Sequence, residues 1–176
     1  MKKILIIGSG GAGKTTFAKR LHAATNIEII HLDKLYWQPN WTKIEKEKWK
    51  TIIENLLEKD SWIMDGNYSG TLEMRLPVCD AVAFLDLPRL VCLYRILKRI
   101  IVYRKKTRPD MTEGCAEKLD LEFLRWIWDY PKNTKPKIET LIKRFESEKK
   151  IFHLESKREV ENFFESLDKQ NFSRHQ

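Results

Sequence analysis

Residues 3–21 read KILIIGSGGAGKTTFAKRL. An apolar run meets a turn of very small residues, and a basic amphipathic segment follows at once. Glycine adds backbone freedom that folding must remove, so such a cluster weakens both flanking elements unless something requires it. The stretch Gly8-Ser9-Gly10-Gly11-Ala12-Gly13-Lys14-Thr15 has the spacing G-x-x-x-x-G-K-[ST]. Small residues let the main-chain N–H groups of 10–15 converge on one anion, and the helix that follows adds unpaired donors and about half a positive charge. The pattern predicts a bound nucleoside triphosphate. Lys14 reaches its β- and γ-phosphates, the Thr15 hydroxyl ligates Mg²⁺, and Thr16 reaches the α-phosphate. ATP and Mg²⁺ are the expected cofactors.

Apolar runs alternate with amphipathic ones along the rest of the chain. Strands are expected at 3–8, 27–32, 61–65, 80–86 and 150–155. Helices are expected from Gly13 to about Ala24, over 41–60 with Thr42 as N-cap and Trp41, Ile44, Lys48, Ile52 and Leu56 drawing a face, and from Arg89 to about Arg104. Three more follow: Leu119 to Tyr130, stopped by Pro131; Ile138 to about Glu148; and Arg158 to Leu167. The end QNFSRHQ reads as frayed. This alternation predicts an α/β fold of three layers, with a five-stranded parallel sheet between helices. The 176 residues suit one domain, 1–176, with a helical, basic candidate lid at 104–135.

Composition narrows the classes. No apolar run approaches the roughly 20 residues of a membrane span. The apolar start is cut short by Gly8 to Lys14 with no small-residue cleavage site after it, so a cytoplasmic protein with no membrane partner is expected. Cys79, Cys92 and Cys115 lack paired spacing and read as buried thiols; His22, His31, His153 and His175 lack ligand spacing. Net charge is +8, and Arg89 to Pro109 carries eight basic residues and no acidic one. That local field points to nucleotide phosphates or a nucleic-acid backbone, against the plainer reading of a solvated face.

Ligands of open parallel sheets sit beyond the carboxyl ends of the strands. Asp33, Asp65 and Asp86 lie there. WIMD, apolar residues and then Asp65, suits a group that holds Mg²⁺ through its waters or meets substrate. Asp33 suits a group that orients or deprotonates an acceptor hydroxyl. Asp86, just before Leu87-Pro88, reads as structural. Tyr36, Trp37 and Trp41 follow Asp33 and either stack on a base or sugar or pack the next helix. Asn67 and Tyr68 offer polar groups at the same mouth. Arg95 and Arg99 share one helix face, with Arg104 and Arg108 in the candidate lid, and suit charge neutralisation in phosphoryl transfer.

The segment LDLPRLVCLYRILKR (85–99) resembles the D-x-P…R-x-x-x-R segment of the adenylate kinase-like P-loop kinases. The resemblance implies a P-loop NTPase fold, and contacts from Arg95 and Arg99 to the phosphates and base of ATP. Asp65-Gly66 looks like the start of that family's D-G-F-P-R motif, but Asn67-Tyr68-Ser69 replaces its Phe-Pro-Arg. The acceptor-phosphate arginine is therefore missing, with Arg75 as a substitute that the spacing does not itself indicate. A closer likeness, spanning GSGGAGKTT, HLDKLYWQPNW, WIMDGNYSGT and FLRWIWDYPK, is to the bacterial DNA topology modulation (FlaR-like) family. Its name implies an effect on DNA supercoiling, while its fold resembles small-molecule kinases.

Three readings follow in order of weight. The first is a kinase that transfers the ATP γ-phosphoryl group to a small acceptor such as a nucleoside, nucleotide or other polyhydroxy compound. The second is an ATP-binding regulatory protein with little catalysis. The third is a protein that contacts DNA directly.

Overall fold

β1 (Lys3–Gly8) shows in six residues why the chain folds as a layered sandwich. Ile4 and Ile6 pack into one apolar cluster, and Leu5 and Ile7 into another. Both faces of the strand are covered, as in a parallel sheet with helices on each side. The structure is a computed structural model that describes residues 1–172. The sheet holds β1, β2 (Ile29–His31), β5 (Trp62–Asp65), β6 (Ala81–Leu85) and β7 (Lys150–Leu154) in the order β2-β5-β1-β6-β7, parallel throughout. The expected fold class is the observed one.

One apolar layer joins β1 to α1 (Lys14–Thr25), α5 (Arg89–Val102) and α8 (Lys157–Phe172) through Phe17, Leu21, Ile96, Phe163 and Phe164. The other joins it to α3 (Lys46–Leu57), α4 (Ser69–Arg75) and α7 (Lys135–Lys143) through Trp49, Ile53, Leu72 and Ile138. α6 (Leu121–Asn133) contributes to both, with Ile127 on the first and Tyr130 on the second. The cysteines are buried and free, as expected.

Several boundaries differ from the sequence reading. The helix expected over 41–60 begins at Lys46, and Thr42 is no cap. Before it lie a short α2 (Leu32–Tyr36) and a hairpin of β3 (Trp37–Gln38) and β4 (Thr42–Lys43). Pro39 opens the connecting turn, and Asn40 and Trp41 take left-handed backbone that no helix tolerates. The buried side of α3 is Trp49 and Ile53. α4 appears where no helix is expected. Pro131 sits inside α6, near enough to its end that only the last turn lacks the missing N–H. α7 starts early, at Lys135 with Pro136 in its first turn, and ends at Lys143. α8 continues past Leu167 to Phe172, and residues 173–176 of the expected frayed end lie outside the described residues.

Candidate active site

Register brings the strand ends together. Ile6 of β1 lies opposite Asp65 of β5, and Asp65 opposite His31 of β2. The glycine-rich turn leaves β1 on this same edge and enters α1. Gly11 holds φ at 77°, and a Cβ there would lie 2.3 Å from the carbonyl oxygen of Cys92. The close passage of α5 therefore demands this glycine independently of any ligand. α1 opens at a left-handed Gly13 with no side-chain cap, which leaves its first amides without a side-chain acceptor. Lys14 curls back over the turn, its Nζ donating to the carbonyls of Gly8 (3.1 Å) and Ser9 (3.0 Å). Thr16 is exposed on the same helical turn, while Ser9 and Ala12 are buried.

The Thr15 hydroxyl donates to Asp65 Oδ2 at 2.8 Å. That oxygen also lies 3.1 Å from His31 Nδ1, and Asp110 Oδ2 approaches the same hydroxyl at 3.4 Å. Oxygen donors from the turn and from β5 thus meet, with Asp110 added from the segment after α5.

On the other side of this corner, the Tyr68 hydroxyl donates to Asp33 Oδ1 at 2.6 Å. Withdrawal from water raises the Asp33 pKa above its ordinary 3.8, offset in part by the Tyr68 bond and by Lys14. Burial, with Asp33 beside it, likewise pushes the Tyr68 phenol upward. Tyr68 holds φ at 40°, unusual for a bulky residue and the kind of strain that collects at functional sites. Gly66 before it holds φ at 146°, and a Cβ there would come within 3.0 Å of Leu32 Cβ. Asn67 Oδ1 accepts the Gly8 N–H at 2.7 Å and fastens this loop to the glycine-rich turn. Arg75 is wholly buried beneath the loop, donating to the carbonyls of Gly66 (3.1 Å), Asn67 and Tyr68 (3.1 Å).

The aromatic residues divide between the two uses that the sequence leaves open. Tyr36 and Tyr68 pack on the buried Trp49, at centroid distances of 5.1 and 5.0 Å. Trp37 and Trp41, 5.5 Å apart, stay half-exposed on the hairpin. The hairpin is pinned to the segment after α5: Trp41 Nε1 donates to the Ala116 carbonyl (3.0 Å), and the Asn40 N–H to that of Gly114 (3.2 Å).

The arginines are engaged internally. Arg95 Nη1 donates to the carbonyls of Ala12 (3.1 Å) and Gly11 (3.4 Å). Arg99 Nε lies 3.0 Å from Glu117 Oε1, and Arg108 Nε crowds the same oxygen, as ion pairs without hydrogen-bond alignment. Arg108 Nη1 also contacts Asp110 Oδ2. Burial, and then Arg108, lowers the Arg99 pKa. A chain of charge thus runs from Arg99 through Glu117, Arg108 and Asp110 to Thr15. Asp86 faces elsewhere and takes contacts from Lys135 Nζ and His153 Nε2 (3.0 Å).

His31, Asp110 and Glu117 are the residues that sequence reasoning missed. His31 stands two places before Asp33 at a strand end, which was a usable signal. Asp110 and Glu117 meet their partners only through tertiary folding, and no local spacing announces that.

No protein-family model matches the chain, and no curated protein sequence does. Solved structures do. A shikimate kinase from Acinetobacter baumannii in complex with shikimate superposes with a TM-score of 0.58 at 15% identity, covering 99% of this chain and 94% of the other. A deoxyadenosine kinase from M. mycoides with bound dCTP gives 0.52 at 18% identity, covering 95% and 99%. A shikimate kinase from Bacteroides thetaiotaomicron gives 0.51 at 18% identity, covering 99% of each chain. The fold is that of the P-loop small-molecule kinases. Among the described residues, no helix is long and apolar enough to cross a membrane.

Proposed function

We propose that the chain is an ATP- and Mg²⁺-dependent kinase that phosphorylates a hydroxyl group of a small, nucleoside-like acceptor. The observation that carries this reading is Asp33, a carboxylate drawn out of water and bonded to Tyr68 beside the glycine-rich turn. A base of raised pKa is suited to accept the acceptor's hydroxyl proton as the new O–P bond forms. Tyr68 orients that base. Lys14 exchanges its two carbonyl contacts for the β- and γ-phosphate oxygens. Arg95 and Arg99 balance charge on the phosphates, and Arg108 does so from the candidate lid. Thr15 and Asp65 are hard oxygen donors that meet at 2.8 Å, a set that fits Mg²⁺. Bound there, Mg²⁺ would supply charge neutralisation at the transferring group. We place the closing part of the candidate lid in residues 104–118, because α6 packs on the body of the fold.

Trp37 and Trp41 favour a flat acceptor over a simple polyol, since an aromatic face stacks on a base. The similar solved structures include both a deoxyadenosine kinase and a shikimate kinase. An acceptor screen with γ-labelled ATP and Mg²⁺ across nucleosides, nucleoside monophosphates and shikimate tests this reading. Label is expected on a nucleoside. Tight MgATP binding with no transfer to any acceptor would leave the regulatory reading instead. The resemblance to the FlaR-like family adds no acceptor. Arg95, Arg99 and Arg108 face the glycine-rich turn and Glu117, the side on which ATP is proposed to bind, and not an outer surface for a DNA backbone.

Asp33 also gives a pH-dependent test. Below 3.8 its carboxyl is protonated in the folded and unfolded chains alike. As the pH rises, the unfolded chain releases its proton first while the folded one retains it, so stability falls through the folded pKa and stays lower at neutral pH. Asp33→Asn removes this penalty and keeps an oxygen for Tyr68. The variant is expected to match the parent's melting temperature near pH 3.5, to exceed it at pH 7, and to lose phosphoryl transfer. Thermal melts across that range check the sign, and an advantage that shrinks as the pH rises would contradict it.

A further inference from the structure

α5 has two unlike sides. Inward it carries Cys92, Arg95, Ile96 and Arg99, toward the glycine-rich turn and Glu117. Outward it carries Leu90, Tyr94, Leu97 and Ile101, exposed by 67, 67, 45 and 76%. Their spacing of four, three and four residues draws one straight apolar seam along the helix. Leu119 continues the seam, lining a groove with Ile100, Ile101, Arg104, Lys105, Glu117 and Lys118; on α6, Leu121 and Trp128 are also exposed, Trp128 beneath Arg89. Among the described residues, every large exposed apolar side chain except Met1, Leu35 and Val78 lies on α5, on α6 or on the segment between them.

This concentration is too large for an ordinary monomer surface. The largest apolar patch of a monomer is roughly 300–600 Å². At these exposures the side chains present on the order of 800 Å², about what each partner gives to a specific interface. We propose that α5 and α6 form a two-fold interface with a second copy of this chain. A seam that reads the same in both directions matches its own copy antiparallel across a two-fold axis perpendicular to the helix. The area is what favours this occupant, since it matches what one partner of a stable dimer gives. Arg95 and Arg99 are turned inward, while Arg89 lies over Trp128, Lys98 borders the seam, Arg104, Lys105 and Lys118 surround Glu117 in the groove, and α6 carries Glu122 and Asp129. The interface does not rest on the kinase reading for its observations, borders the candidate lid at the groove, and leaves the mouth at Asp33 and Trp37 on other elements.

Sedimentation equilibrium of the purified chain tests it. A particle of about 42 kDa, twice the 21.0 kDa chain, is expected at micromolar concentration. Because each copy carries +8, raising the salt is expected to tighten the dimer by screening their repulsion. The double change Tyr94→Glu and Ile101→Glu alters exposed positions only and is expected to weaken association by about 100-fold with an unchanged far-UV spectrum. Leu97→Cys, near the middle of the seam, is expected to give a disulfide-linked dimer on mild oxidation. Lys46→Cys on α3 is expected to give none, and the native cysteines are buried. A monomer at 100 µM overturns the proposal, whether it stays free or binds phosphatidylserine vesicles through this face. A dimer unaffected by the double change overturns it as well.

Discussion

Lys14→Ala is expected to reduce phosphoryl transfer by about 10²–10³-fold, the scale of removing one aligned donor from a developing negative charge. The same change is expected to alter folding little. Lys14 Nζ is held by two carbonyls of its own turn, Gly8 and Ser9, and the side chain is only half-buried. Losing such contacts at a partly solvated site costs about 1 kcal/mol. That amounts to about 2–4 °C of melting temperature for a chain of this size. The separation of the two effects is the informative part. A lysine that merely tied down a turn would lower the melting temperature and leave MgATP affinity in place. Calorimetry with MgATP, beside a melt of the same sample, distinguishes the cases. Unchanged affinity and turnover in a folded variant would remove the phosphate-binding role from this turn.

The sequence was legible wherever one residue sets its own neighbourhood. Ile4 to Ile7 announce a strand covered on both faces, and the turn from Gly8 to Thr15 announces its own conformation. WIMD places Asp65 at a strand end because three apolar residues precede it and pair along β1. Legibility failed where the decisive partner is distant. The run 41–60 has helical spacing from Trp41 onward, yet Trp41 is drawn into a hairpin by Ala116, which no window of twenty residues contains. Arg99 reads as a phosphate ligand from its helix face, and its ion-pair partner Glu117, eighteen positions away, is announced by no local spacing. Gly11 reads as a concession to an anion, while the carbonyl of Cys92 is a second cause. Apart from α4, the helices of the two layers were recoverable from periodicity, but the loops that join them to the site were not.

Arg75→Ala is expected to destabilise the protein by about 3–5 kcal/mol, the range for stripping partners from several buried carbonyls and leaving a void. Arg75 is 0% exposed, and its guanidinium donates to the carbonyls of Gly66, Asn67 and Tyr68, with Nε 3.4 Å from that of Thr71. Burial lowers its pKa to about 10, which still leaves it charged at neutral pH. The three carbonyls belong to the loop that presents Asn67 to Gly8 and Tyr68 to Asp33. One side chain therefore fixes both the turn and the candidate base. If Arg75 instead met an acceptor phosphate, its loss would raise the acceptor's KM and leave the melt almost untouched. The buried geometry predicts the reverse order: a melting temperature lower by about 10 °C, with turnover falling because the loop relaxes. Arg75→Lys keeps the charge but cannot span three carbonyls from one ammonium group, so it is expected to recover only part of the loss. Full recovery by lysine would show that charge alone, and not the planar fork beneath residues 66–68, holds the site together.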